Sequence, residues 1–72
     1  MKKIKKIKIK VNGKVKSIND DFKISDLVKN LKIPIKKVAI ELNQKIIDKK
    51  NINKISLKTN DIIEIVHFIG GG

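Results

Sequence analysis

The most reactive feature of this sequence is its end, where Gly70, Gly71 and Gly72 lead to a terminal carboxylate. Glycine has no Cβ, so three in a row can lie in a channel too narrow for any side chain. Fully extended, they would carry the carboxylate about 10 Å beyond the residue that precedes them. The chemistry expected here is that of a carboxyl group delivered into the active site of another protein.

A disordered terminus or an expression remnant is the alternative interpretation of the glycines, because chain ends tolerate change. Two observations oppose it. The residues directly before the glycines are Phe68 and Ile69, which gain nothing from exposure to water. No tag or protease-site residue accompanies the glycines either. We therefore treat Ile69, Gly70 and Gly71 as residues that a partner binds, and Gly72 as the residue that reacts.

A β-branched apolar run beginning at Ile62 precedes this tail and predicts a strand. Alternation places Ile63 and Ile65 on its buried side and Ile62, Val66 and Phe68 on the other. Exposed apolar residues beside a functional tail indicate a docking surface, and aromatic residues are common interface anchors. The alternative is that the chain's own loops cover them. His67 is expected to face solvent or line the tail, since no acid–base partner for it is evident.

Composition limits the other functions. With 72 residues, no Cys, one His and seven scattered acids, we expect one domain without a bound cofactor or metal. No apolar run approaches the roughly 20 residues that span a bilayer, and no signal-peptide pattern follows the lysine-rich start. We expect a cytoplasmic protein that is monomeric when free and does not contact a membrane.

The formal charge of +11 suggests nucleic-acid binding. However, all eighteen basic residues are lysine, and codon bias toward Lys, Ile and Asn would produce the same charge. Base readout favours arginine, and single-strand binding needs stacked aromatic residues. The chain has no Arg, Trp or Tyr. A basic nucleic-acid-binding module is therefore kept only as the alternative from another functional class.

Period-two alternation over Lys2–Val11 and over Lys14–Ile18 predicts two strands, and Asn12-Gly13 between them suits a tight hairpin turn. A two-residue turn pairs Ile7 with Ile18 in the core but leaves Val15 on the polar side. A three-residue loop would reverse both assignments. The two-residue turn is preferred.

The next elements follow from spacing and from turn residues. Ile24, Leu27, Val28 and Leu31 have the spacing of a short amphipathic helix that ends before Pro34. Two further strands are predicted at Val38–Leu42 and Lys45–Asp48, with a turn at Asn43-Gln44 between them. A winding segment, Lys49–Ser56, follows the second of these strands. Residues 59–61 then turn the chain into the final strand.

This order predicts an α+β fold, a mixed sheet of four to five strands packed on one short helix. If the last strand lies beside the first and parallel to it, the architecture is the β-grasp, or ubiquitin-like, fold. Residues 1–69 would form this domain, and residues 70–72 a flexible glycine tail.

The sequence resembles the ThiS-type sulfur carriers of thiamine biosynthesis over nearly its whole length. The most specific motifs are Val38-Ala39-Ile40-Glu41-Leu42-Asn43 and Val66-His67-Phe68-Ile69-Gly70-Gly71-Gly72. Val11-Asn12-Gly13 and the helix are less specific. The first hairpin is about one residue shorter than usual for this family, and the lysine content is unusual.

The resemblance implies that the chain is a carrier and not an enzyme. A ThiF-like adenylyltransferase would use ATP to adenylate the Gly72 carboxylate, and a persulfide sulfur donor would convert it to a thiocarboxylate. A ThiG-like thiazole synthase would then consume the sulfur. The small subunit of molybdopterin synthase, or another ubiquitin-like sulfur donor or modifier, shares the Gly-Gly end and remains an alternative.

Overall fold

The computed structural model describes residues 5–68, which form a five-stranded mixed sheet packed on one helix. The strands and the helix are, in chain order, β1 (Lys6–Val11), β2 (Lys14–Asn19), α1 (Ile24–Asn30), β3 (Val38–Leu42), β4 (Lys45–Ile46) and β5 (Ile62–His67). The sheet order is β2-β1-β5-β3-β4, and β5 lies parallel to β1 at the centre. The predicted β-grasp arrangement is confirmed.

The first hairpin has the two-residue turn that the sequence favoured. Asn12 and Gly13 have φ angles of 51° and 83°, the left-handed values that a tight hairpin turn requires. Ile7 lies opposite Ile18, and Lys10 lies opposite Val15. Val15 is accordingly 64% exposed, which confirms its place on the polar side of the hairpin.

Helix α1 has ordered ends despite its short length. At its start, the Lys23 N–H donates to the Asp26 carboxylate over 2.9 Å. At its end, the Lys32 and Ile33 N–H groups donate to the Lys29 and Val28 carbonyls, with Lys32 at a φ of 56°. This is a Schellman ending, in which glycine usually occupies the left-handed position.

Some boundaries differ from the sequence prediction, since β1 begins at Lys6 and β2 extends to Asn19, and two further differences have a local cause. Leu31 was expected on the buried face of the helix but caps its C-terminus and is 36% exposed, because Lys32 turns the chain away. The strand predicted over Lys45–Asp48 ends at Ile46. Asp48 leaves the sheet because its carboxylate accepts the Lys50 N–H and so caps a 3₁₀ turn at Lys49–Asn51.

The core lies between α1 and the facing side of the sheet. It contains ten buried side chains: Ile9, Ile18, Ile24, Leu27, Val28, Val38, Ile40, Leu57, Ile63 and Ile65. Ile52 and Ile55 pack against this cluster from the segment between β4 and β5. The opposite side of the sheet, which we call the outer face, is not covered by any described element.

Candidate functional site

Strand β5 divides its side chains between the core and the outer face. Ile63 and Ile65 are buried, whereas Ile62, Val66 and Phe68 are 45%, 52% and 49% exposed. The chain's own loops therefore do not bury them, and the alternation predicted from the sequence is confirmed. Their role as partner-binding residues stays a prediction.

Phe68 is the last described residue, and two contacts fix its place. Its N–H donates to the Lys37 carbonyl over 2.9 Å, which extends the β3–β5 pairing by one step. The Lys49 ammonium lies 5.1 Å from the centre of its ring, within the range of a cation–π contact. The aromatic ring is thus held, half exposed, at the base of the tail.

Asn12 supports β5 from the other side. Strand β1 pairs with β5 where Lys10 lies beside Ile62 and Val11 beside Ile63, and beyond Ile63 the strand β5 has no β1 residue beside it. The Asn12 side chain takes over: its Oδ1 accepts the Ile65 N–H over 2.7 Å, and its Nδ2 donates to the Ile65 carbonyl over 3.4 Å. The side-chain amide thereby replaces one peptide unit of the missing strand.

Asn43 performs a similar task at the start of β5. Its Oδ1 accepts the Ile62 N–H over 2.9 Å, and its Nδ2 donates to the Asp61 carboxylate over 3.0 Å. Its backbone N–H also donates to the Ile62 carbonyl over 2.8 Å. Like Asn12, it occupies a left-handed turn position, with a φ of 52°. Two asparagines from different hairpins therefore hold the strand that leads to the tail.

From the sequence, Asn12 and Asn43 are predicted only as turn residues. The sequence shows that each asparagine directly follows a strand. It does not show their hydrogen bonds to β5, because these join residues that are distant in the sequence. Ala39 and Ile46, which the sequence did not single out, also lie on the outer face. Ala39 lies opposite Val66, and Ile46, opposite Glu41, is 76% exposed.

His67 is exposed, in agreement with the sequence prediction. Within residues 5–68 no group of three His, Cys, Asp or Glu residues is placed to hold a metal ion. None of the helices in this part of the chain is long and apolar enough to cross a membrane. The predicted site residues Ile69, Gly70, Gly71 and Gly72 lie outside the described residues.

Comparison with known proteins identifies the family. The model of the ThiS family matches residues 6–72, which is nearly the whole sequence and includes the glycine tail. The chain belongs to the ThiS family. This membership confirms the resemblance found in the sequence and, with it, the expected function of a sulfur carrier for thiamine biosynthesis.

Individual members show how far the ThiS similarity extends. The chain is 42% identical over 65 residues to the sulfur carrier protein ThiS of Bacillus subtilis, covering 89% of this chain and 98% of that protein. It is 32% identical over 66 residues to a thiazole synthase of Paramagnetospirillum magneticum. That match covers 92% of this chain but only 20% of the synthase, so the similar segment is one part of a longer protein.

Solved structures agree with the fold. The crystal structure of thiamine biosynthesis protein ThiS from Geobacter metallireducens superimposes with a TM-score of 0.81 at 26% sequence identity. The alignment covers 92% of this chain and 100% of that one. The five-stranded sheet with one helix is therefore the ThiS arrangement, and no large element is inserted or missing between residues 5 and 68.

Proposed function

We propose that the chain carries sulfur as a thiocarboxylate on Gly72. The observation that supports this most directly is the family match over residues 6–72, a range that includes the three glycines. The fold supports it too, because β5 ends at His67 and delivers the chain to the tail from the centre of the sheet.

The chemistry begins with an unreactive group. A carboxylate is an anion at neutral pH and a poor electrophile. In the proposed cycle a Gly72 oxygen attacks the α-phosphate of ATP, pyrophosphate leaves, and the mixed anhydride with AMP supplies a leaving group. The terminal sulfur of a persulfide then attacks the carbonyl carbon and expels AMP. A thiol finally attacks the donor's cysteine sulfur in the acyl disulfide, which breaks the S–S bond, releases the thiocarboxylate and forms a disulfide between that thiol and the donor cysteine.

The chain itself supplies the handle and the reacting carboxyl group in this cycle. It contains no Cys and so cannot carry sulfur as its own persulfide. A ThiF-like adenylyltransferase would bind the ATP, a persulfide protein would supply the sulfur, and a ThiG-like thiazole synthase would accept it. The cytoplasm, where ATP is available, is the proposed compartment.

The thiazole synthases that share this segment support a physical association between the carrier and the synthase. Two such proteins contain a segment 32% and 33% identical to this chain, in each case about a fifth of their length. Fusion of two partners raises their effective concentration without any new contact. We propose that this chain binds a thiazole synthase.

Partner proteins are proposed to bind the outer face around Ile62, Val66 and Phe68. Ile69, Gly70 and Gly71 would then enter the active-site channel behind these anchors. Burial of three half-exposed apolar side chains would stabilise the complex by about 25 cal/mol for each Å² of apolar surface removed from water. The glycines would contribute little binding energy, and their role is to fit the channel.

Intact mass tests this function. The chain is incubated with ATP, the adenylyltransferase and a persulfide donor, and its mass should rise by the difference between sulfur and oxygen. A matched control carries one additional Phe after Gly72, which leaves the fold intact and blocks the carboxylate's approach. An unchanged mass of the parent chain, or equal sulfur loading of the extended chain, would refute the proposal.

A further inference from the structure

Three lysines form a row on the outer face of the central sheet. Lys6, Lys8 and Lys10 alternate with inward-facing residues along β1 and are all exposed. Successive members are about 7 Å apart, as every second residue of a strand must be. The row therefore concentrates three positive charges along one strand, directly beside β5.

The surrounding residues do not neutralise this row. On the β2 side the residues opposite it are Asn19, Ser17 and Val15, which are uncharged. On the β5 side Ile62 lies opposite Lys10. The one ion pair within residues 5–68 joins Lys50 to Asp48, elsewhere on the molecule. The three ammonium groups thus repel one another without a carboxylate between them.

A shallow depression of about 330 Å³ lies against this row. Its lining combines the positive groups of Lys8 and Lys10 with the apolar side chains of Val15 and Ile62, and Asn60 closes one side. Val15 and Ile62 are both exposed there. This combination suits an acidic side chain whose carboxylate meets the lysines while its methylene groups contact the apolar residues.

The charge changes sign across the outer face. Glu41 and Glu64 lie directly opposite each other on β3 and β5, although like charges at such positions are unfavourable. Glu64 lies on β5 and Glu41 on the next strand, β3, so neither is on β1, which carries the lysine row. The outer face is therefore positive along β1 and negative where Glu41 on β3 meets Glu64 on β5, with the apolar Ile62 and Val66 before and after Glu64. This asymmetry favours one orientation of a charged partner.

We propose that the lysine row receives an acidic segment of the adenylyltransferase, with Lys8 and Lys10 contacting its carboxylates at the depression. This inference rests on the proposed function, since it takes the adenylyltransferase as the partner. The contact orients the carrier so that Phe68 and the tail point toward the active site. Charge complementarity of this kind raises the rate of association and excludes misoriented encounters.

A protein partner fits this face better than a nucleic acid does. A phosphate backbone laid across the sheet would meet Glu41 and Glu64 as well as the lysines. Base stacking would need several aromatic residues, and within residues 5–68 the outer face presents Phe68 alone. A protein surface that is acidic opposite β1, apolar opposite Ile62 and Val66, and basic opposite Glu41 and Glu64 complements the whole face.

The test compares two double variants of equal net charge. Lys8→Glu with Lys10→Glu reverses the lysine row, whereas Lys29→Glu with Lys54→Glu changes α1 and the loop before β5. Neither control residue lies on the outer face: Lys29 is on the helix, and Lys54 belongs to the segment that bonds to the helix start through the Ile52 and Ile55 carbonyls. Pyrophosphate release by the adenylyltransferase is measured against carrier concentration at low and high salt.

The row variant should raise KM about ten-fold or more at low salt, with kcat nearly unchanged and the difference reduced at high salt. The control pair should change KM less than about three-fold. Lys8→Gln with Lys10→Gln should give an intermediate KM, and thermal melting of each variant shows that it is folded. Fluorescence anisotropy with duplex DNA at physiological salt should detect no difference between the two charge-reversed variants.

Equal effects of the row and control pairs on KM would overturn the inference, because only total charge would then matter. Tight duplex binding that is lost specifically in the row variant would also overturn it, in favour of a nucleic-acid surface. If the parent chain is adenylated normally and only these comparisons fail, the proposed function stands. If the parent chain is not adenylated at all, the proposed function and this inference fall together.

Discussion

The Asn12 amide should contribute measurably to stability, and Asn12→Gly is the change that isolates it. Asn12 has a φ of 51°, which glycine adopts without strain. The backbone bond from the Asn12 N–H to the Ile63 carbonyl can persist in the variant. What disappears is the pair of bonds to Ile65, at 2.7 and 3.4 Å.

The magnitude follows from these bonds and from their exposure. A protein hydrogen bond contributes a net value of about 0.5–1.5 kcal/mol. Asn12 itself is exposed, so water can reach the Ile65 peptide groups once the amide is removed. The exposure and the weakness of the 3.4 Å bond favour low values for each bond, so the expected loss of unfolding free energy is about 1–2 kcal/mol for the two bonds together.

Replacement by glycine also changes the flexibility of the unfolded chain, and Asn60→Gly controls for that term. Asn60 has a similar φ of 69°, and its backbone N–H donates to the Lys8 carbonyl. In the described part of the chain its side chain forms no hydrogen bond. The difference between the two variants therefore reports the Asn12 amide alone.

Urea unfolding followed by far-UV circular dichroism is the appropriate assay, since the chain lacks Trp and Tyr. Asn12→Gly should be less stable than Asn60→Gly by about 1–2 kcal/mol, or about 5–15 °C in Tm for a domain of this size. Hydrogen exchange should show a selective loss of protection at the Ile65 amide. Equal stability of the two variants, with Ile65 still protected, would refute the assigned role.

Two further expectations concern single side chains. Lys32→Gly should stabilise the domain by about 1 kcal/mol in urea unfolding, because glycine removes the left-handed strain at the helix end. The control Lys29→Gly, inside α1, should destabilise the domain. A stabilising effect of glycine at both positions would contradict this reasoning. Phe68→Ala should cost less than about 1 kcal/mol of stability, since the ring is half exposed and its contact with Lys49 is a surface cation–π pair. The same change should weaken adenylyltransferase binding about ten-fold or more, as measured by calorimetry. A larger effect on stability than on binding would show that Phe68 stabilises the fold and does not anchor the partner.

The sequence alone was sufficient for the architecture and for the two faces of β5. Alternation is a local property, and burial of one side of each strand follows directly from it. Ile63 and Ile65 were thus assigned to the core, and Ile62 and Val66 to the outer face. The hairpin register also followed from local chemistry, because Asn12-Gly13 suits the left-handed turn that the structure contains.

Only the tertiary structure decided what holds the functional strand. Asn12 and Ile65 are 53 residues apart in the sequence, and no local pattern indicates that one binds the other. The place of Lys49 over Phe68 likewise depends on how a surface segment passes the end of β5. Such contacts form between side chains of distant segments only after the sheet has brought them together, whereas periodicity acts within each segment.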